Sequence, residues 1–318
     1  MKNLFTFLVL FCSFQLVFAQ VDIVPKEVPP PITNTNTTLI NDYIPKEKAL
    51  LWKISGKDLT TPSYLYGTIH MIDKKDFFLT DATKQAVKDV KMLTFEINMD
   101  DMTNMGAQLA LLSKAFMADN KSLKDLLTEE EYLMVKNHFE ENVGIPIFLF
   151  ERVKPMFLTV LADMDMSSGG GMATGEIVSY EMELMEMGKA DKKLMGGLET
   201  AEFQMSMFDS IPYEVQAKML VDAINAGESG DEQFEQMVQL YKDQDIQGMQ
   251  TMFQSEEGGL EGYEDLLLVM RNKNWIPIMG EQMKQMPTMF AVGAGHLGGR
   301  SGVIALLREE GYTVEAMQ

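Results

Sequence analysis

The chain has a single cysteine, Cys12, and only three histidines and two tryptophans in 318 residues. One thiol excludes a disulfide framework and any cysteine-based zinc site, because both need thiols in sets. Basic residues are also scarce, 27 lysines and arginines against 47 aspartates and glutamates, for a formal charge of −20 at pH 7. A surface of that sign repels phosphate backbones and acidic headgroups, so neither nucleic acid nor an anionic membrane surface is expected as a partner. No apolar run is long enough to span a bilayer.

Residues 1–19 begin with Lys2, continue mostly apolar apart from Ser13 and Gln15, and end in Val17-Phe18-Ala19. This is the frame of a secretory signal peptide cut after Ala19, which predicts an exported protein, periplasmic or extracellular. Cys12 would leave with that segment, and the bulky Phe11 before it argues against lipidation. Residues 20–47 hold Pro25, Pro29, Pro30, Pro31 and the polar run Asn34-Thr35-Asn36-Thr37-Thr38, a composition expected to form a disordered linker. Residues 48–318 are then expected to form the folded domain, with enough apolar content for a full core.

Strands are predicted at 49–55 and 63–69, forming a hairpin, and at 92–97, with a helix at 81–90 between them. Residues 100–165 follow helical spacing, with Thr128 and Glu131 in a capping-box frame. Ser167-Ser168-Gly169-Gly170-Gly171 reads as a hinge or a loop over a cleft. A helix at 176–188, a short strand at 193–196 and helices from 200 to about 285 come next. A strand at 288–292, a glycine-rich turn, a helix at 303–310 and a strand at 312–315 close the chain. Strands at both ends and helices between predict an α/β fold: a central mixed sheet from the N- and C-terminal strands with a large helical middle block packed on it.

Two of the three histidines share one frame, Gly67-Thr68-Ile69-His70 and Gly293-Ala294-Gly295-His296, each directly after a predicted strand. Strand ends are where open sheets build their sites, and glycine there lets a neighbouring backbone or ligand come close. Glu96 ends a third strand. Imidazole and carboxylate suit a divalent metal such as manganese, zinc or cobalt, so His70, His296 and Glu96 are the candidate ligands, brought together only by folding. An ion so held can activate water for acyl hydrolysis. Glu199 or Glu176 could then act as general base; each could equally be a helix N-terminal acid, and Glu199 a fourth ligand. Arg271, in Arg271-Asn272, could meet a substrate carboxylate or an oxyanion, or simply complete a helix dipole at a C-terminus. The third histidine, His138, reads as a solvated surface residue. The 28 methionines, among them Met279, Met283, Met286 and Met289 at helical spacing, raise copper(I) binding, but core filling explains them at less cost.

Leu51-Trp52-Lys53-Ile54-Ser55, Tyr64-Leu65-Tyr66-Gly67-Thr68-Ile69-His70, Gly197-Leu198-Glu199-Thr200, Arg271-Asn272 with Trp275, and Ala291-Val292-Gly293-Ala294-Gly295-His296-Leu297 together resemble the TraB/GumN family, over about residues 48–315. That family is related to the Tiki metal-dependent proteases, whose paired GxxH motifs are held to carry activity. The resemblance implies metal-ligand roles for His70 and His296, with Glu96 as the matching acid. It also implies a fold shared with an erythromycin esterase and a haem-binding protein. The expected function is an exported metal-dependent hydrolase, peptidase-like, acting on a peptide or other acyl-containing substrate. The alternative is a non-catalytic periplasmic binding protein for haem or a metal that uses the same histidines, or a surface-assembly protein in which they only pack.

Overall fold

The segment Ser63–Thr68 is buried at all of its positions, which requires elements stacked on both of its faces. The structure, a computed structural model, describes residues 43–98, 111–162, 176–226, 228–253, 262–263 and 265–317. The expected leader, most of the linker and the glycine-rich run at 167–171 lie outside the described residues.

The strands are β1 (Leu51–Ser55), β2 (Ser63–Thr68), β3 (Ile72–Asp73), β4 (Met92–Ile97), β5 (Ile177–Val178), β6 (Leu194–Glu199), β7 (Thr288–Gly293) and β8 (Thr313–Met317). The helices are α1 (Asp81–Asp89), α2 (Leu123–Leu126), α3 (Glu129–His138), α4 (Pro155–Ala162), α5 (Tyr180–Ala190) and α6 (Ala201–Met207). They continue as α7 (Tyr213–Ala226), α8 (Glu228–Lys242), α9 (Ile246–Phe253), α10 (Met270–Gln285) and α11 (Val303–Glu309).

Six strands form one mixed sheet in the order β6-β4-β7-β2-β1-β8. β6, β4, β7 and β2 run parallel, while β1 is antiparallel to both β2 and β8. The two chain ends do meet in this sheet, as expected, and β6 joins them from the middle of the sequence. β3 and β5 make a separate two-stranded ladder. Residues 176–188 were expected to be one helix. Instead the β-branched pair Ile177 and Val178 pairs with β3, and α5 starts at Tyr180 behind a Ser179 cap.

Two apolar clusters hold the molecule. The larger surrounds the sheet and includes Trp52, Phe95, Trp275 and Phe290. It absorbs Met279, Met283 and Met289, in keeping with a core-filling role for that stripe. The smaller cluster, with Phe139, Val143, Leu158 and Leu220, lies in the helical block. α3 there has its Thr128–Glu131 capping box. His138 was read as solvated; its Nε2 lies 2.8 Å from the carbonyl of Ala162 and ties α3 to the end of α4. The buried Lys154 pairs with Asp209, so the start of α4 is fixed to the turn after α6.

The glycine of the first GxxH frame has a steric reason. Thr68 of β2 pairs with Gly293 of β7, which sets the two frames side by side. A Cβ at Gly67 would lie 3.0 Å from Leu297 Cδ2 and 3.2 Å from Ala294 Cα, in the turn that carries the second histidine. Gly67→Ala is therefore expected to destabilise the fold by about 1–3 kcal/mol, the usual range for overpacking. Urea unfolding checks this; an unchanged midpoint would show that the two turns are not in rigid contact.

Candidate active site

Four parallel strands end at one edge of the sheet, where open α/β sheets place their sites. β4 delivers Glu96 and β6 ends on Glu199, held next to it by the Ile97↔Glu199 register. β2 leads to His70, and β7 passes through a 3-10 turn, Ala294–His296, that ends on His296. These are the strand ends at which the sequence reading placed its candidates.

Arg271 sits among these groups. It occupies the first turn of α10, after a π-helical turn at Asp265–Val269, so it does not complete a dipole at a helix C-terminus. Its five N–H bonds are all taken. Nε donates to Glu199 Oε1 at 3.0 Å, Nη2 donates to Glu199 Oε1 at 2.7 Å and to Glu96 Oε2, and Nη1 donates to Leu267 O at 3.2 Å and meets His296 Nε2 at 3.1 Å. No donor is left over for a substrate carboxylate in this arrangement. Glu199 is equally engaged: Trp275 Nε1 and Gln204 Nε2 also donate to it, at 3.0 and 3.1 Å. Burial opposes charge on both Arg271 and Glu96, and the opposite charges outweigh it. The guanidinium is held above its ordinary value by Glu96 and Glu199. The Glu96 carboxyl is held at about 2 by the charges of Arg271 and His70, by the Gly293 N–H and, once acid protonates it, by His296. That N–H reaches Glu96 Oε1 at 2.8 Å, and a Cβ on Gly293 would stand 3.3 Å from the same oxygen.

The two imidazoles have opposite surroundings. His296 is buried; its Nδ1 lies 2.6 Å from Asn272 Oδ1, and the Asn272 amide nitrogen donates to Ser301 O at 2.9 Å. The amide orientation makes Nδ1 the donor, so Nε2 carries the lone pair, 3.7 Å from Glu96 Oε1. Burial pushes His296 down to about 3, and the ring is neutral. The His70 side chain is 74% exposed, and its Nδ1 is 3.1 Å from Glu181 Oε1. Glu181 also accepts from Thr68 Oγ1 at 2.7 Å and Ser179 Oγ at 3.1 Å. The Glu181 contact raises His70 to about 9. His70 and His296 are within electrostatic reach of each other and of Glu96 and Arg271.

Glu181 is the residue that sequence reasoning missed. The β3–β5 register, Ile72↔Val178 and Asp73↔Ile177, carries the exposed Glu176 to the end of the ladder away from His70, where its carbonyl accepts from Lys74 N. The same ladder brings Glu181 to His70. With the helix expected to run over 176–188, Glu181 reads as an ordinary acid within it, which hid it.

The donor types suit a divalent ion. His296 offers an unprotonated Nε2, here accepting from Arg271 Nη1, whose other nitrogen is fixed by a carbonyl, the usual support of a ligating histidine, and Glu96 Oε1 stands beside it. Two ligands of a tetrahedral ion at about 2.1 Å are about 3.4 Å apart, close to the 3.7 Å found here. The third donor, His70, is engaged by Glu181, and among the described residues no group of three His, Cys, Asp or Glu is arranged around a common point for a metal.

These ionisations predict a stability maximum near pH 6.5. His296 and Glu96 have lowered values, so their contribution is present above their ordinary 6.5 and 4.5 and is lost as pH falls through about 3 and about 2. His70 has a raised value, so its contribution is complete below 6.5 and is lost as pH rises through about 9. Its exposure screens the pair and keeps the alkaline limb shallow. His70→Gln is expected to flatten that limb while most of the acid limb stays, because Arg271 and the Gly293 N–H still act on Glu96 and burial still acts on His296, read as thermal midpoint against pH. An unchanged alkaline limb would mean that Glu181 does not hold a charged His70.

Residues 50–316 match the model of the TraB/PrgY/gumN family. The chain is similar to metalloprotease TIKI1 of Danio rerio, 23% identical over 338 residues covering 89% of this chain and 64% of that protein. It is similar also to metalloprotease TIKI2 of Danio rerio, 21% identical over 322 residues, 84% of this chain and 60% of that protein. The chain thus spans less than two thirds of the length of these relatives. No solved structure matches it significantly. The family match takes in all eight strands and every residue of the Glu96–Arg271–Glu199–His296 cluster, and the chain belongs to the TraB/PrgY/gumN family.

Proposed function

We propose that the protein is an exported hydrolase of peptide or related acyl bonds, with a divalent metal, manganese, zinc or cobalt, held by His296, Glu96 and His70. The observation that carries this reading is the neutral His296, its Nδ1–H fixed on Asn272 and its unprotonated Nε2 3.7 Å from Glu96 Oε1 at the end of four parallel strands. The name metalloprotease carried by both Tiki relatives supports it. When bound, the ion supplies Lewis-acid polarisation of an acyl oxygen and acidifies water.

The chain's own residues prepare that chemistry. Asn272 selects the His296 tautomer. Gly293 N–H and Arg271 keep Glu96 ionised and oriented, and Glu199, itself held by Trp275 and Gln204, holds Arg271 in turn. In this reading Glu199 is a positioning residue, because its oxygens are saturated by donors. Glu181, rather than the candidate base Glu176, is the carboxylate that meets His70, accepting from its Nδ1. The exposed ring lies where an incoming substrate can approach. Among the described residues no helix is long and apolar enough to cross a membrane.

Metal analysis of the full chain and cleavage of a peptide library test the reading. About one divalent ion per chain is expected, lost in His296→Ala and His70→Ala, with cleavage lost in parallel. Asn272→Ala should weaken metal affinity by about 10–100-fold, the usual cost of losing the group that orients a ligating histidine. Wild-type protein that takes up no divalent ion and cuts no peptide would overturn the proposal. Metal uptake without any cleavage would favour a binding protein.

A further inference from the structure

We propose that Arg271 is a built-in competitor for the metal, so that its guanidinium sets how tightly the site takes up an ion. This rests on the reading of His296, Glu96 and His70 as ligands. Nη1 of Arg271 is 3.1 Å from His296 Nε2, and the Asn272 contact leaves that nitrogen a single lone pair. One lone pair accepts a hydrogen bond or binds an ion; it cannot do both. Nη2 of the same guanidinium also takes Glu96 Oε2. The arginine thus satisfies the two buried groups, His296 Nε2 and Glu96, that an ion would need, and supplies the positive charge that lets Glu96 remain ionised out of water.

The same side chain has a second partner that leaves the metal ligands free. Glu199 is held by Trp275 Nε1 and Gln204 Nε2, and it accepts from Arg271 Nε and Nη2. Trp275 lies against both groups, with its ring 4.9 Å from the guanidinium carbon and 4.5 Å from the His296 ring. Uptake of an ion therefore costs the contacts to His296 and Glu96, together with the repulsion of a second positive charge, while the grip of Glu199 can persist. A lysine at this position keeps a cation for Glu199 but lacks the planar fork that spans to His296.

Zinc chloride titration by calorimetry, on the full chain and on Arg271→Lys, tests this. The variant is expected to bind zinc about 10–100-fold more tightly than the wild type, the equivalent of one lost charge-assisted hydrogen bond. Equal or weaker binding by a folded variant overturns the competitor role and leaves the metal-site reading standing. Binding by the variant but not by the wild type supports the competitor role and sinks the metal-dependent reading of the natural chain. No binding by either removes both. Should Arg271→Lys fail to fold, NMR of the arginine side chains in the wild type decides. The Arg271 N–H signals should shift in step with zinc saturation, and signals that stay fixed while zinc binds contradict the proposal.

Discussion

The site depends on one guanidinium shared between two buried carboxylates. The Ile97↔Glu199 register brings Glu96 and Glu199 to the same edge of the sheet, out of water. Two like charges about 4 Å apart repel by about 4 kcal/mol at the effective dielectric of such a place, before any cost of desolvation. Arg271 reverses that balance by donating to both. Its place in the first turn of α10 is unfavourable toward the helix dipole, and the two carboxylates offset this. The backbone is built to match, since Gly293 lets Glu96 come within 2.8 Å of its N–H.

Around this triad the two GxxH histidines are tuned in opposite directions by different supports. Asn272 gives His296 a neutral acceptor inside the core, and Glu181 gives His70 a carboxylate at the rim. One ring is thereby kept neutral, while the other carries an extra proton that it must give up before it can bind an ion. Pairs of groups whose surroundings push their ionisation apart are characteristic of working sites. The β3–β5 ladder, only two residues on each side, sets the second half of this arrangement by fixing Glu181 against His70.

Much of the frame was legible in the sequence. Short stretches rich in aromatic, aliphatic and β-branched residues marked β2, β4 and β7, and the shared glycine frame marked the two histidine turns. The extent of β6 was harder, because Gly196 and Gly197 weaken a strand signal in the segment that carries Glu199 to the edge. Glu181 was hidden because its role comes from a two-residue ladder between segments more than a hundred positions apart, which no local periodicity encodes. The bonds of Arg271 were hidden for the same reason: its acceptors on Glu96, Glu199, Leu267 and His296 meet only in the folded chain. The separate apolar core of the helical block likewise depends on pairing α4 with α7, which spacing alone does not specify.

The most direct measurement is an anomalous difference map from crystals of the full chain grown with manganese. The account predicts one strong peak at the carboxyl edge of β4 and β7, within bonding distance of His296 Nε2 and a Glu96 oxygen, with the Arg271 guanidinium no longer on His296. Density for manganese elsewhere, or none while Arg271 stays bonded to both Glu96 and His296, would contradict it.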